Sequence, residues 1–377
     1  MADLIRFIHT ADIHLGAQFA FLDSTKRQIR KTELMLCCER IFSLCKANSI
    51  KLLLLPGDIF ENNALDETIA LSFLRLVEQT PDTTVVFAAG NHDPLTADSP
   101  FLNYPLPQNL IVFGTEDEVI TLEELKVRLY GRSFKSVYMA NCPFSLVPEN
   151  NEYINILLLH GNLGADISDN YNPISKDFIR NSGMDYVALG HMHTFSGLQK
   201  EGSVFYAYSG CPEPHGFDEA GASGVICGEI GKGICNAQLV KTAIREHCVL
   251  DIDVSAAQNN TDICDIIYRT VLEKYKDNTD KNLYKISLVG EVSDEFTINT
   301  AEIVRRLEER LFFIKIKDRT EPKIDLALLS KEATLRGLYV KQMLQKAELE
   351  PQNKEKIKKA IFIGLKAFKS EVKYREN

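Results

Sequence analysis

Five short blocks of this chain hold side chains suited to metal ions: Asp12-x-His14, Gly57-Asp58, Gly90-Asn91-His92-Asp93, His160-Gly161 and Gly190-His191-x-His193. At a strand end, residues i and i+2 point to the same side, so Asp12 and His14 can face one ion. Asp58 adds a carboxylate, and the glycine before it permits a sharp backbone turn. Asn91 offers an amide oxygen, which ligates a hard ion without adding charge. His92 and Asp93 read as a proton-donating pair in which the carboxylate fixes the imidazole and raises its basicity. Five of the eight histidines fall in these blocks, so the clustering follows the motifs and not the composition.

Asp12, His14, Asp58, Asn91, His160, His191 and His193 are too many ligands for one ion. Two ions about 3.5 to 4 Å apart, bridged by one carboxylate and a hydroxide, would use them all. Mixed oxygen and nitrogen donors without thiolate suit Mn, Fe or Zn, and redox-inert hydrolysis is the natural chemistry. Of the remaining histidines, His9 reads as a packed residue within a strand and His247 as a surface residue. His215, in the Gly/Pro-rich stretch CPEPHGFDEAG, is a candidate substrate-facing group.

Each block follows an apolar run that reads as a buried strand: IRFIHTADIH, LLLLPGD, VVFAAGNHD, INILLLHGN and YVALGHMH. The ligands would thus emerge along the strand-end edge where open α/β sheets build their sites. Between the first three strands, residues 25–48 (Ile29, Leu34, Leu36, Ile41, Leu44, Cys45) and 65–78 (Ile69, Leu71, Phe73, Leu74, Val77) predict amphipathic helices. The front is therefore β-α-β-α-β. Beyond Gly114 come short strands at 119–122 and 127–130, the INILLLH strand, a helix at 176–181 and a β-meander over 204–240. A boundary is expected within 240–248, followed by a second β-α-β-α-β set. From Ser330 strand signal is nearly absent, and Pro351 divides the tail into two predicted helices.

Composition sets the outer limits. At 377 residues, 45% hydrophobic and 25% charged, the chain fits two or three globular domains and excludes low-complexity disorder, collagen and a disulfide miniprotein. The opening MADLIRFIHTADIHLG has no secretory pattern, and no apolar run approaches the roughly 20 residues of a membrane span. The expectation is a cytoplasmic protein without membrane contact. Nine cysteines without a CxxC spacing, Cys142 among them, read as reduced, mostly buried thiols. The net charge of −9 is unevenly spread: residues 1–249 carry 19 Lys+Arg against 30 Asp+Glu, residues 250–329 carry 12 against 16, and residues 330–377 carry 12 against 6. An acidic front repels phosphate polymers, and a basic tail attracts them.

The ordered set D-x-H, GD, GNHD, HG and GHxH resembles the calcineurin-like metallophosphoesterase superfamily. FIHTADIHLG, GDIFE and GHMHTF with a following YSG turn resemble more narrowly its SbcD/YhaO-type nuclease subunits of double-strand-break repair, over about residues 4–245. The resemblance implies a four-layer α-β-β-α sandwich over 1–245, a small βαβαβ cap domain over 246–329 that positions DNA, and a C-terminal helical tail over 330–377. It implies that Asp12, His14, Asp58 and His193 hold one divalent ion, most often Mn, and that Asp58, Asn91, His160 and His191 hold the other. His92 would stabilise the phosphoryl transition state or protonate the leaving oxygen, with Asp93 as its orienter. One departure stands out: Glu61 occupies a position where archaeal and eukaryotic relatives carry a DNA-shaping histidine. A carboxylate there would repel phosphate. Glu61 and His215 are accordingly the candidate substrate-binding positions.

The leading expectation is a two-metal DNA exonuclease, with endonuclease action as a variant, whose activated hydroxide hydrolyses phosphodiesters in DNA repair. The alternatives are a phosphodiesterase or phosphatase for nucleotides and small phosphoesters, and a non-catalytic scaffold. In the tail, Ile357, Ile361, Leu365, Phe368 and Val372 form an apolar stripe beside Lys354, Lys356, Lys358, Lys359, Lys366, Lys369 and Lys373. This helix either packs on its own cap or docks a partner. The resemblance implies the coiled-coil base of an SbcC-type ABC ATPase as that partner, and a homodimer is a further possibility.

Overall fold

The computed structural model describes residues 4–140, 144–148, 152–166, 169–293 and 296–368, so Cys142, Lys369, Val372 and Lys373 lie outside the described residues, as does the Lys366 side chain. In chain order the front comprises β1 (Ile5–His9), α1 (Ser24–Ala47), β2 (Leu52–Leu55), α2 (Glu67–Glu78), β3 (Thr84–Phe87), α3 (Pro100–Asn103), β4 (Leu110–Val112), β5 (Glu118–Leu122), β6 (Val127–Gly131), β7 (Ile154–His160), α4 (Lys176–Asn181), β8 (Tyr186–Gly190), β9 (Gln199–Glu201), β10 (Val204–Tyr208), β11 (Gly224–Gly231) and β12 (Ile234–Lys241).

These strands form two six-stranded mixed sheets, ordered β12-β11-β1-β2-β3-β4 and β5-β6-β7-β8-β10-β9. β1 to β4 pair parallel, and β11 runs antiparallel along the free edge of β1. In the second sheet β6, β7, β8 and β10 are parallel, with antiparallel β5 and β9 at the edges. Strands buried on both faces carry continuous apolar runs, which is why β2 and β7 show no alternation in sequence.

The sheets pack face to face. Phe7, Leu52, Leu54 and Val86 of one meet Leu129, Ile156, Leu158 and Ala188 of the other in a single cluster. The outer face of the first sheet lies beneath the helices through a chain of rings, Phe42–Phe73, Phe73–Phe60, Phe60–Phe101 and Phe101–Phe87, with centroids 6.0, 5.7, 5.5 and 4.2 Å apart. Leu157, Leu159, Val187 and Leu189 on the outer face of the second sheet pack with Ile179 of α4 and Met184. The result is the α-β-β-α sandwich. At about 1.5–3 kcal/mol per fully buried large apolar side chain, these layers supply most of the driving force.

Helix starts follow their caps: Asp23 accepts the Lys26 N–H at 2.9 Å, and Asp66 accepts the Thr68 N–H at 2.8 Å. α1 departs from the apolar stripe expected of it. Ile29 and Leu36 are exposed, while Arg30 and Glu33 are buried. The reason is an ion network: Arg30 donates to Glu33 at 2.7 Å, to Glu213 at 2.6 Å and to the Pro214 carbonyl at 2.9 Å, and Arg245 donates to both Glu33 oxygens at 2.8 and 2.9 Å. A buried guanidinium is tolerated because charged partners surround it.

The chain divides into two compact units, one running through Cys248 and including Lys281–Leu283, the other comprising Val249–Asp280 and the chain from Tyr284 onward. The later elements are β13 (His247–Asp253), α5 (Asn260–Tyr275), β14 (Leu283–Val289), β15 (Glu291–Ser293), α6 (Thr300–Leu307), β16 (Phe313–Asp318), β17 (Glu321–Lys323), α7 (Leu326–Leu329), α8 (Leu335–Leu349) and α9 (Lys354–Phe368). They give a three-stranded sheet β13-β14-β16 and a parallel pair β15-β17. The last three helices share a core of Leu329, Val340, Ala347, Ile357, Ile361 and Leu365. Three residues of the tail stripe are thus spent inside this helical cluster.

Among the described residues no helix is long and apolar enough to cross a membrane. Among the described residues no disulfide is formed, and seven of the eight described cysteines are buried.

Candidate metal centre

The loops after β1 and β2 run side by side, joined by backbone bonds Asp12 N–H to Gly57 O at 3.2 Å, His14 N–H to Asp58 O at 3.0 Å and Leu15 N–H to Ile59 O at 2.8 Å. Loops after β3, β7 and β8 converge on the same end of the sandwich. Asp12, His14, Asp58 and His191 sit at φ of 54, 51, 54 and 103°, in the left-handed region that non-glycine residues avoid. Such strain, of order 1–3 kcal/mol per residue, persists only where surrounding structure over-determines it. Close approach explains two glycines: a Cβ at Gly90 would overlap the Asp58 carboxylate, and one at Gly190 would overlap the Pro56 carbonyl.

All seven predicted ligands meet in one cluster. His14 Nε2 and His193 Nε2 face each other at 3.3 Å, and His14 Nε2 lies 3.9 Å from Asp58 Oδ2. Asp58 Oδ2 also lies 3.3 Å from His160 Nε2. Asn91 Oδ1 stands 3.0 Å from His160 Nε2 and 3.2 Å from His191 Nδ1. Asp12 accepts the His191 N–H on both oxygens, at 3.0 and 3.1 Å. Ligand atoms of Asp12, His14 and His193, and separately of Asp12, Asp58 and His160, lie within 4.8 Å of one another. Asp12 belongs to both groups, and Asp58 Oδ2 of the second lies 3.9 Å from His14 Nε2 of the first.

The donor set fits divalent cations on two grounds. Glu219 Oε1 lies 2.5 Å from His193 Nδ1 and holds a proton on that outer nitrogen, while Glu61 Oε2 lies 3.1 Å from His14 Nδ1 as an ion-pair contact outside hydrogen-bond geometry. His14 Nε2 and His193 Nε2 then oppose each other at 3.3 Å, a contact that calls for a cation between them, either a proton or a metal ion. The electrostatics agree. Burial pushes the pKa of Asp12 up, against the pull of His160 and His193. Burial would also raise Asp58, but His160 and His14 hold it below the usual carboxylate range. His160 is pushed up to about 9, because Asp58 and Asp12 overcome the opposing effect of burial. His193 rises to about 9 as well, its burial outweighed by Glu219 and Asp12. The carboxylates thus demand positive charge at the place where these imidazoles converge.

Other expected site residues take different positions. His92 is exposed; its N–H bonds Asp58 Oδ1 at 2.9 Å, and its Nδ1 lies 3.0 Å from the Glu61 carbonyl. Asp93 does not orient the His92 ring, which corrects the expected pairing. Its carboxylate accepts the backbone N–H groups of Asp58, Ile59, Phe60 and Gly90 at 3.1, 2.7, 3.1 and 2.8 Å, pinning the β2 loop to the β3 loop. Glu61 and His215 are both engaged by other groups of the site. Glu61 turns to His14, while the His215 ring bonds Glu219 at 3.1 Å and the Ile13 carbonyl at 3.0 Å. His9 is packed, with its ring 2.9 Å from the Tyr186 hydroxyl. His247 is buried at 3% exposure and is not a surface residue.

Two residues at the site escaped sequence reasoning. Glu219, in the same CPEPHGFDEAG stretch as His215, clamps both His193 and His215. Its neighbours Asp218 and Glu213 make it one acid among several, so only the fold singles it out. Tyr171 stacks on the His191 ring at 5.2 Å, and the exposed Tyr138 lies 5.8 Å beyond it. Nothing in the polar run around Tyr171 marks it in advance.

Residues 5–195 match the calcineurin-like phosphoesterase family. The chain belongs to that family. Its members are metallophosphoesterases that work with divalent metal ions, in accord with the cluster described above. The chain is 27% identical over 283 residues to the uncharacterized metallophosphoesterase YhaO of Bacillus subtilis, an alignment spanning 71% of this chain and 67% of that protein. It is 26% identical over 239 residues to the DNA double-strand break repair protein Mre11 of Methanopyrus kandleri, spanning 58% of this chain and 52% of that one. The chain therefore spans about half the length of the second relative.

Proposed function

We propose that this phosphoesterase is a divalent-metal-dependent DNA nuclease acting in repair, with exonuclease action as its principal mode. The observation that carries the reading is the cluster of Asp12, His14, Asp58, Asn91, His160, His191 and His193, beside which the exposed His92 is held by a hydrogen bond from its backbone N–H to the Asp58 carboxylate. The similarity to the archaeal break-repair protein supports DNA as substrate. Asp12, His14, Asp58 and His193 would hold one ion; Asp58, Asn91, His160 and His191 the other. Bound there, divalent ions supply Lewis acidity and an activated water for in-line attack on phosphorus.

The chain's own residues supply the rest. Donation of the His92 Nδ1 proton to the Glu61 carbonyl aims the other ring nitrogen away from that loop. When protonated, that nitrogen stabilises charge on the phosphoryl oxygens or gives a proton to the departing sugar oxygen. Asp93 keeps His92 and Asp58 in register through the four backbone N–H groups it binds. Tyr171 and Tyr138 offer an aromatic face beside His191, suited to an unstacked base. The basic tail is the part proposed to meet an SbcC-type coiled-coil ATPase, with Leu335, Leu338 and Leu349 as exposed apolar groups on α8.

The acidic balance of residues 1–249 favours a second reading, a phosphodiesterase for nucleotides or other small phosphoesters. Cleavage of end-labelled duplex and single-stranded DNA, compared with a chromogenic phosphodiester in Mn, separates the two. DNA cleavage with stepwise products supports the nuclease. Turnover of the small ester alone supports the second reading, and turnover of neither refutes both.

A further inference from the structure

The imidazoles of the cluster are supported from outside in two different ways. His14 and His193 each present Nε2 inward and Nδ1 to a carboxylate, Glu61 as an ion-pair contact at 3.1 Å and Glu219 as a hydrogen bond at 2.5 Å. His160 instead rests its Nδ1 on the Pro56 carbonyl at 2.9 Å, and His191 rests on the face of the Tyr171 ring. Charged supports therefore fall on one side of Asp58 and neutral supports on the other.

These two carboxylates are built into the site. Glu219 is largely buried and is itself held by the His215 ring and backbone N–H. His215 is in turn tied to the carbonyl of Ile13, between Asp12 and His14. The loop carrying both residues is anchored through Glu213 to the buried Arg30 of α1. Glu61 belongs to the loop whose backbone bonds Leu15, one residue past His14. Each glutamate thus reaches its histidine from a separate, independently fixed element.

We propose that Glu61 and Glu219 are paired positioning residues that fix His14 and His193 from outside and tighten one of the two metal ions selectively. The inference rests on the two-ion reading above. A carboxylate on the outer N–H of a ligating imidazole fixes its tautomer and raises its basicity, and losing such a support typically costs about 10–100-fold in metal affinity. The effect belongs to the ion of Asp12, His14 and His193. The imidazoles of the other ion, His160 and His191, are touched from outside by the neutral Pro56 carbonyl and Tyr171 ring, with Asp169 acting on His191 only through space and without a hydrogen bond to its ring.

The test is Mn titration of the chelator-stripped full chain by calorimetry, with electron paramagnetic resonance of the same samples, for wild type, Glu61→Gln and Glu219→Gln. Glutamine keeps an oxygen acceptor and removes the charge. The expected result is two binding steps in wild type, with one step weakened about 10–100-fold in each variant and the other unchanged. At a Mn level where wild type gives the spectrum of a coupled ion pair, the variants should give that of a single ion. Equal weakening of both steps, or of neither, overturns the proposal while leaving the two-ion reading intact. A wild type that binds fewer than two ions overturns that reading itself. Glu61 lies partly at the surface, so Glu61→Gln keeps the test decisive should Glu219→Gln fail to fold; circular dichroism of each variant establishes which case applies.

Discussion

Replacing His247 by phenylalanine should change the acid stability of this protein more than its stability at neutral pH. His247 is buried at 3% exposure, and neither ring nitrogen has a hydrogen-bond partner among the described residues. Its ring packs edge-on against Phe217 at 5.0 Å and near Phe21 at 6.3 Å, an environment made for another aromatic ring. Burial, with the nearby Arg30 charge, lowers its pKa to about 3. The unfolded chain, with an ordinary histidine pKa near 6.5, binds the extra proton, so stability is full above about pH 6.5 and is lost as pH falls toward 3. Between pH 7 and 5 the loss from His247 is roughly 2 kcal/mol, at about 1.4 kcal/mol per pKa unit. His9, buried with a pKa of about 3 for the same reason, adds a similar amount. At pH 7, removing an unpaired imidazole gains about 1–3 kcal/mol, which the bulk of phenylalanine offsets by a comparable overpacking cost. The variant should therefore unfold in urea like wild type at pH 7 and be more stable by about 2 kcal/mol at pH 5. The chain has no tryptophan, so circular dichroism with a chelator present is the suitable probe. A variant that loses as much stability as wild type from pH 7 to 5 refutes the assignment of this slope to His247.

Three further outcomes follow from the packing. Gly190→Ala should abolish folding or cost well over about 4 kcal/mol, because the new Cβ overlaps the Pro56 carbonyl and crowds His160; a well-folded variant with an unchanged melting temperature would contradict this. Glu213→Ala should cost about 3–5 kcal/mol in urea denaturation, since it strips Arg30 of a charged partner while leaving the guanidinium buried. Asp93→Asn should lower metal content as well as rate, because Asp93 braces the Asp58 loop; a variant with full metal occupancy by elemental analysis would place its effect elsewhere.

Much of the site was legible because metal ligands at strand ends leave a double mark, an apolar run followed by Asp, Asn or His. The five runs became β1, β2, β3, β7 and β8, and their ligands converge as the motifs imply. The residues that orient those ligands were harder to read. Asp93 was visible as an acid next to His92, but sequence adjacency suggested the wrong partner, since a residue after a tight loop points back into the loop and not along it. Glu61 and Glu219 bind histidines 47 and 26 positions away in one case or the other only through the fold, and no local pattern encodes that pairing. α1 misled for a related reason: a buried Arg30 reads as solvent-facing until Glu33, Glu213 and Arg245 are found around it. The tail stripe was correctly periodic, yet periodicity alone does not say whether α8 or another protein covers it.

The central claim, that the cluster is the hydrolytic centre of this phosphoesterase, is tested most directly by phosphodiester hydrolysis in Mn by wild type, Asp58→Asn and His92→Ala, with bound metal measured on the same samples. Wild type should turn over and retain two ions. Asp58→Asn should lose both activity and ion pairing, and His92→Ala should keep its metal but lose about 10²–10⁴-fold in rate. Undiminished hydrolysis by Asp58→Asn and His92→Ala would contradict the account.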